Sequence, residues 1–229
     1  FAYERFERCR ARLLLRQRES GGWGYSREYS GDADSTSWVM RMIVAMGGEH
    51  SKSMEQGRRF LKTHVTGDGG VGTFVLTDAV AKTMGVSQDI SFAGWQQDHV
   101  SVTAAAAPFL DQAARQYLLQ RQEAGNWTCY WWLHPAYPTA MAVHALAQDK
   151  TCEAAHAIEA ARKWAVSCIK GETDCLEATD FDLAFCLRIL NKAQQDFCDA
   201  DARMDCVAFA PLDDPDRALA EAKRAVGAG

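Results

Sequence analysis

The sequence predicts an all-α chain whose helix pairs form a double ring, and three observations predict it. Apolar residues between the glycine clusters recur at helical spacing, with almost no strict alternation. A Gly-rich turn recurs as well: "LRQRESGGW" (Leu15 to Trp23) and "LQRQEAGNW" (Leu119 to Trp127) align without a gap on Leu, Glu, Gly and Trp. A weaker copy, "GDGGVGTF" (Gly67 to Phe74), matches Gly69-Gly70-Val71 to Gly21-Gly22-Trp23. Finally, three helix starts, "DSTSW", "SVTAA" and "YPTAM", align on Thr36, Thr103 and Thr139. Units of helix, turn, loop and helix stack into solenoids or close into rings. The small residues after each Thr suit crowded inner helices, with the first helix of each unit outside them. A Thr in the first turn can satisfy an orphan backbone N–H of its own helix.

In chain order, Phe1 to Arg18 reads as a helix on Phe6, Cys9, Leu13 and Leu14, and Asp34 to Met46 as a second on Val39, Ile43 and Met46. Ser53 to His64, Leu76 to Met84, His99 to Leu110 and Asp111 to Gln122 follow, then Tyr137 to Gln148, Thr151 to Ile169 and Thr179 to Lys192. Asp214 to Val226 closes the chain, with Pro215 suited to its first turn. Val71–Phe74 and Thr128–Trp132 read as short extended pieces. The whole, residues 1–229, is expected to be a single domain.

Composition limits the function. Hydrophobic residues are 48% and charged residues 24%, as in ordinary globular domains, and the net charge of -5 argues against a nucleic-acid partner. No apolar run is long enough to cross a membrane and no secretory leader opens the chain, so a cytoplasmic protein is expected. None of the 8 cysteines forms a CxxC pair, and they read as mostly reduced core thiols. A zinc site would take Cys186 or Cys198 with Asp182 and one histidine, but the ligand spacing is missing and no metal is expected. "LDDPD" (Leu212 to Asp216) is not a D-D-x-x-D motif, so ionisation of a diphosphate is not the expected chemistry.

Gln17, Gly21 and Trp23 form Q-x3-G-x-W, which resembles the QW repeat of triterpene (squalene–hopene-like) and terpene cyclases; in the second copy Arg121 stands at the Gln position, flanked by Gln120 and Gln122. "DADST" (Asp32 to Thr36) resembles the D-x-D-D-T motif of class II, protonation-initiated terpene cyclases, and more closely the D-x-D-T-T variant of drimane-type sesquiterpene cyclases, with Ser35 for the first Thr. The resemblance implies an (α/α) barrel with the acid at the start of an inner helix. The chain is short for a twelve-helix ring, which leaves an incomplete barrel or one without a companion domain. The resemblance also implies a linear isoprenoid substrate, farnesyl diphosphate first. No cofactor is required, and Mg²⁺ would serve only to screen a diphosphate.

By this carry-over Asp34 is the proton donor and Asp32 the first carboxylate, with Asp32 or Ser35 orienting the acid. Asp34 has a second reading as a helix cap, because D-x-D-S-T before an apolar run is a good capping sequence. Burial and a neighbouring carboxylate would keep the acid neutral, against the helix dipole. Trp38, one turn on, shares its face. Tyr130, Trp131, Trp132, Tyr137 and Phe74 are candidates to line a pocket whose aromatic faces stabilise a cation, while Trp23 and Trp127 pack the turns. His99 and Tyr137, at inner-helix starts, are candidates to take the final proton, and Arg27 to meet a diphosphate. Two other functions stay open: a non-catalytic (α/α) domain binding a hydrophobic ligand or partner protein, and a protein prenyltransferase β-like subunit, which needs an Asp-Cys-His zinc site.

Overall fold

A computed structural model describes residues 2–48, 51–75, 93–172 and 178–198. It contains α1 (Ala2–Leu14), α2 (Ala33–Ala45), α3 (Lys52–Lys62), α4 (Ala93–Gln96), α5 (Val100–Ala106), α6 (Gln112–Gln120), α7 (Ala136–Leu146), α8 (Cys152–Lys170) and α9 (Asp180–Cys198). Among the described residues only isolated bridges replace strands, which matches the all-α expectation. The expected helices at 76–84 and 214–226 lie outside the described residues. α4 was not foreseen.

Two boundaries differ for clear reasons. The first helix stops at Leu14, not Arg18, because the Arg16 and Gln17 N–H groups take three-residue turns and the Arg18 N–H turns to the Gly22 carbonyl at 2.9 Å. The helix expected to run to Leu110 ends at Ala106, where Pro108 tightens the chain into a 3₁₀ turn, Ala107–Phe109.

The chain divides into two compact units, Phe1–Tyr117 and Leu118–Gly229. In the first, α2 packs on α3 and α5. Its core gathers Trp23, Met40, Ile43, Met54, Leu61, Val71, Val102 and Phe109. In the second, α9 packs on both α7 and α8. Every residue of α5 and most of α7 are buried, as expected for inner helices, whose small side chains admit close neighbours.

The repeat is visible as one hydrogen-bond device used three times. The Trp23 N–H donates to Thr36 Oγ1 at 2.9 Å, Val71 to Thr103 at 2.8 Å and Trp127 to Thr139 at 3.0 Å. Thr36 and Thr139 also donate back to the carbonyls of Trp23 and Trp127. The expectation that the threonines cap their own helices is thus corrected: they hold the preceding turn. The glycines meet a stricter demand. Gly21, Gly69 and Gly125 have φ of 94°, 89° and 84°. A Cβ there would lie 2.6 Å from the Gln56 carbonyl oxygen, 2.6 Å from that of Ala113 and 2.7 Å from that of Ala160. Only glycine combines that backbone conformation with that approach.

Glutamine braces two of the turns. Gln17 Nε2 donates to the carbonyls of Gly21 and Ser53, at 2.7 and 2.8 Å. Gln122 Nε2 donates to the Ala157 carbonyl at 2.8 Å. Ser53 and Ala157 hold the same place, three residues before the carbonyls that crowd Gly21 and Gly125. Gln122, and not Arg121, is thus the counterpart of Gln17, and the gapless alignment is corrected by one residue. In the middle turn Val65 stands at that position. A cavity of about 250 Å³ opens beside it, lined also by Gly69, Leu110, Ala113 and Ala114, with Lys62 and Asp111 at 3.7 Å.

Candidate active site

Asp32 starts α2. Its backbone is extended, and its carboxylate accepts the Ser35 N–H at 2.7 Å, which makes it the N-cap. Asp34, in the first turn, is therefore not the cap. Asp34 is half-buried, and burial first and the Asp32 carboxylate second push its pKa up to about 6, against a hydrogen bond from the Trp38 side chain. Asp32 is only 4% exposed. Burial raises its pKa too, opposed by hydrogen bonds from Ser35 and from the backbone of Tyr25 and Asp34. Ser35 thus serves Asp32 directly. Two carboxyls on one turn, both disfavoured as anions, can retain a proton toward neutral pH.

The loop before the acid is held by a residue that sequence reasoning missed. Arg18 Nη2 donates to the carbonyls of Ser26, Arg27 and Tyr29 at 2.7, 2.7 and 2.8 Å. Their convergence depends on the loop's path, so no spacing rule announces it. Arg27 itself is exposed. Thr73 was also missed: its carbonyl takes the Ala33 N–H at 3.0 Å, and its buried Oγ1 has no partner.

Trp38 is 39% exposed, with the Arg41 guanidinium 5.4 Å from its ring centroid. Phe74 stacks on Trp95 at 5.8 Å. His99 precedes α5 without a side-chain capping bond, and burial holds its imidazole below the usual range, opposed by the Gly94 backbone and Asp98.

In the second unit Trp132 packs on Tyr137 at 4.5 Å and stacks on Phe181 at 5.5 Å. Phe185 meets Tyr137 at 5.1 Å and Phe181 at 4.8 Å. Tyr130 and Trp131 form an edge-to-face pair at 5.1 Å. Phe181 and Phe185 were missed as members of this cluster. Their four-residue spacing on α9 reads as ordinary core, and only the fold brings Trp132 to it. Trp23 and Trp127 pack the turns as expected: their indole N–H groups donate to the Leu13 and Leu118 carbonyls at 2.7 and 2.6 Å.

Among the described residues no three of His, Cys, Asp and Glu gather as metal ligands. Of the residues weighed for zinc, Asp182 does have a histidine beside it, His134 Nδ1 lying 3.3 Å from its carboxylate, but no third ligand joins the pair among the described residues. The thiol expectation holds only in part. Cys168 and Cys186 are buried, but Cys9 and Cys152 are exposed; all are free. No helix among the described residues is long and apolar enough to cross a membrane.

Solved structures share this architecture. A variant of the type II terpene cyclase MstE from Scytonema, in which Arg is replaced by Ala and geranylgeranyl dihydroxybenzoate is bound as substrate, superposes with a TM-score of 0.76 at 28% identity, over 98% of this chain and 62% of that one. The fold is that of the type II terpene cyclases. An Asp-to-Asn variant of MstE with the same substrate matches at 28% identity and a TM-score of 0.73, over 85% of this chain and 60% of that one. A protein from Actinoplanes matches at 30% identity and a TM-score of 0.75, over 95% and 64%. The chain thus spans about three-fifths of the length of these proteins. No protein-family profile matches it, and no curated protein does. In the terpene cyclase fold, the repeated grips and braces described above are the scaffold, and Asp32 and Asp34 are the carboxyl pair that one repeat adds to it.

Proposed function

We propose that the chain is a type II terpene cyclase, an enzyme that protonates an alkene of a linear isoprenoid and so starts carbocation cyclisation. One observation carries the reading: Asp32 takes the capping role and leaves Asp34 as a half-buried acid with its pKa pushed up to about 6. The O–H bond of Asp34 breaks and a C–H bond forms on the terminal alkene, leaving a tertiary cation. A neighbouring double bond closes the ring. Loss of a proton to His99, Tyr137 or water, or capture of water, ends the sequence. Trp38 in the first unit and, separately, the cluster around Trp132 in the second are the candidates to offer an aromatic face to the charge. This chemistry needs no cofactor.

Farnesyl diphosphate is the first substrate candidate, on the likeness of Asp32–Thr36 to the drimane-type motif, with Arg27 as a diphosphate contact. A geranylgeranyl chain on an aromatic acid is the second, because MstE binds one. The test incubates the protein with farnesyl diphosphate, geranylgeranyl diphosphate and geranylgeranyl dihydroxybenzoate, with mass analysis of products after phosphatase treatment. A cyclised product that disappears in Asp34→Asn is expected. A folded wild-type protein that cyclises none of them, or a fully active Asp34→Asn, overturns the reading.

A further inference from the structure

The loop that bears Trp132 is joined to α9 twice, and only one of the joints is aromatic. Trp132 stacks on Phe181 at 5.5 Å, yet the two are 40% and 48% exposed, so the stack alone is a weak anchor. His134, two residues after Trp132, and Asp182, directly after Phe181, make the second joint. His134 Nδ1 lies 3.3 Å from Asp182 Oδ1, with the side chains only 18% and 11% exposed.

Asp182 is itself held. Its Oδ2 accepts the Thr179 N–H at 3.0 Å and the Thr179 hydroxyl at 2.7 Å, and the Asp182 N–H returns to Thr179 Oγ1 at 3.4 Å. This reciprocal cap fixes the carboxylate to the start of α9 and aims its free oxygen at the histidine. On the other side the Ala136 N–H points at the same Nδ1 from 3.2 Å, at the start of α7. The carboxylate oxygen calls for a donor at Nδ1 and the Ala136 N–H for an acceptor at the same atom, so a neutral ring meets one of the two and it meets Asp182 only with the proton on Nδ1. The ring faces Trp164 of α8, with centroids 6.3 Å apart.

We propose that His134 and Asp182 are positioning residues: a buried polar clasp that sets where the Trp132 ring stands, and through it how faithfully a carbocation is guided to one product. This rests on the cyclase reading for its catalytic consequence. The clasp itself does not, because it fixes the environment of Trp132 with or without substrate. Neither residue touches the reacting atoms in this account.

The test uses two variants of one residue. In His134→Asn the side-chain amide can donate from nearly the place of Nδ1; in His134→Gln it reaches the place of Nε2 and leaves Asp182 unmet. Two readouts are taken on the full chain. The first is acrylamide quenching of Trp132, isolated as the difference between each protein and its Trp132→Phe counterpart. The second is the ratio of fully cyclised to prematurely quenched products, with KM and kcat. His134→Gln should raise the Trp132 quenching constant about twofold and shift the product ratio at least fivefold, with KM within twofold of wild type. His134→Asn should restore both. Unchanged Trp132 quenching in His134→Gln, or a His134→Asn no better than His134→Gln, overturns the clasp. A His134→Gln that fails to fold while His134→Asn folds also overturns it, because the pair would then hold the fold and not the ring. If the quenching results come out as expected but the wild type cyclises nothing, the clasp stands and the cyclase reading falls.

Discussion

In the first repeat Trp23 hangs from Thr36 and sends its indole N–H to Leu13; in the last, Trp127 hangs from Thr139 and sends its own to Leu118. The grips are equivalent, but the chain between them is not. From Gln17 to Gly21 there are three intervening residues, and from Gln122 to Gly125 only two. The shorter path is a two-residue turn closed by paired bonds between Glu123 and Asn126, with φ of 47° at Ala124 and 84° at Gly125. Such turns favour Asn or Gly at the first position, and alanine there is strained. Beyond the grips the contents diverge. At the places of Asp32 and Asp34 the last repeat has Pro135 and Tyr137, and it carries an aromatic loop where the first carries an acid. The scaffold tolerates a change of length and a complete change of chemistry, provided Gly, the gripped residue and Thr remain.

The largest effect that would sharpen this contrast is on activity. Asp34→Asn should lower kcat/KM by about 10²–10⁴-fold, the usual contribution of a positioned acid, in an assay of the cyclised product. The same substitution should leave the cap intact, because Asp32 holds it, and should stabilise the protein at pH 8. A carboxyl whose folded pKa is raised loses stability as pH climbs from its unfolded value toward about 6. Removing the charge should return about 1–2 kcal/mol, discounted for partial exposure, in denaturant melts. In the wild type kcat/KM should fall tenfold per unit above pH about 6, as the neutral acid is depleted.

If the grips are truly equivalent, Thr36→Val and Thr139→Val should each cost about 1–3 kcal/mol, because each strands a buried N–H. A cost confined to one of them breaks the comparison. The middle repeat offers the reverse experiment. Val65→Gln should supply the missing brace, donating toward the Gly69 and Leu110 carbonyls, and gain about 1 kcal/mol as the cavity beside it fills. The smallest effect is at the short turn: Ala124→Gly should gain about 0.5–1 kcal/mol despite glycine's greater freedom when unfolded, and a loss there would mean the turn is not strained.

Much of this was legible in the sequence where a residue type has one physical use. Glycine at 21, 69 and 125 announces positive φ and close approach, and the threonines at 36, 103 and 139 mark the inner helices. The acid was legible as a pattern, but not the division of labour within it, because Asp at either position can cap. The one-residue deletion before Gly125 was hidden by Arg121, which kept a gapless alignment plausible between two glutamines. Arg18, Phe181, Phe185 and the His134–Asp182 contact were hidden for another reason. Each acts on groups that only the folded loop or helix pair brings near.

The three gripped amides also give each repeat a clock of its own. The N–H groups of Trp23, Val71 and Trp127 are tied to threonine hydroxyls that are buried in every case. None can exchange with deuterium until its own turn lets go of its inner helix. Protection at these amides therefore reads local opening repeat by repeat, and the middle amide, whose turn lacks the glutamine brace, should exchange first.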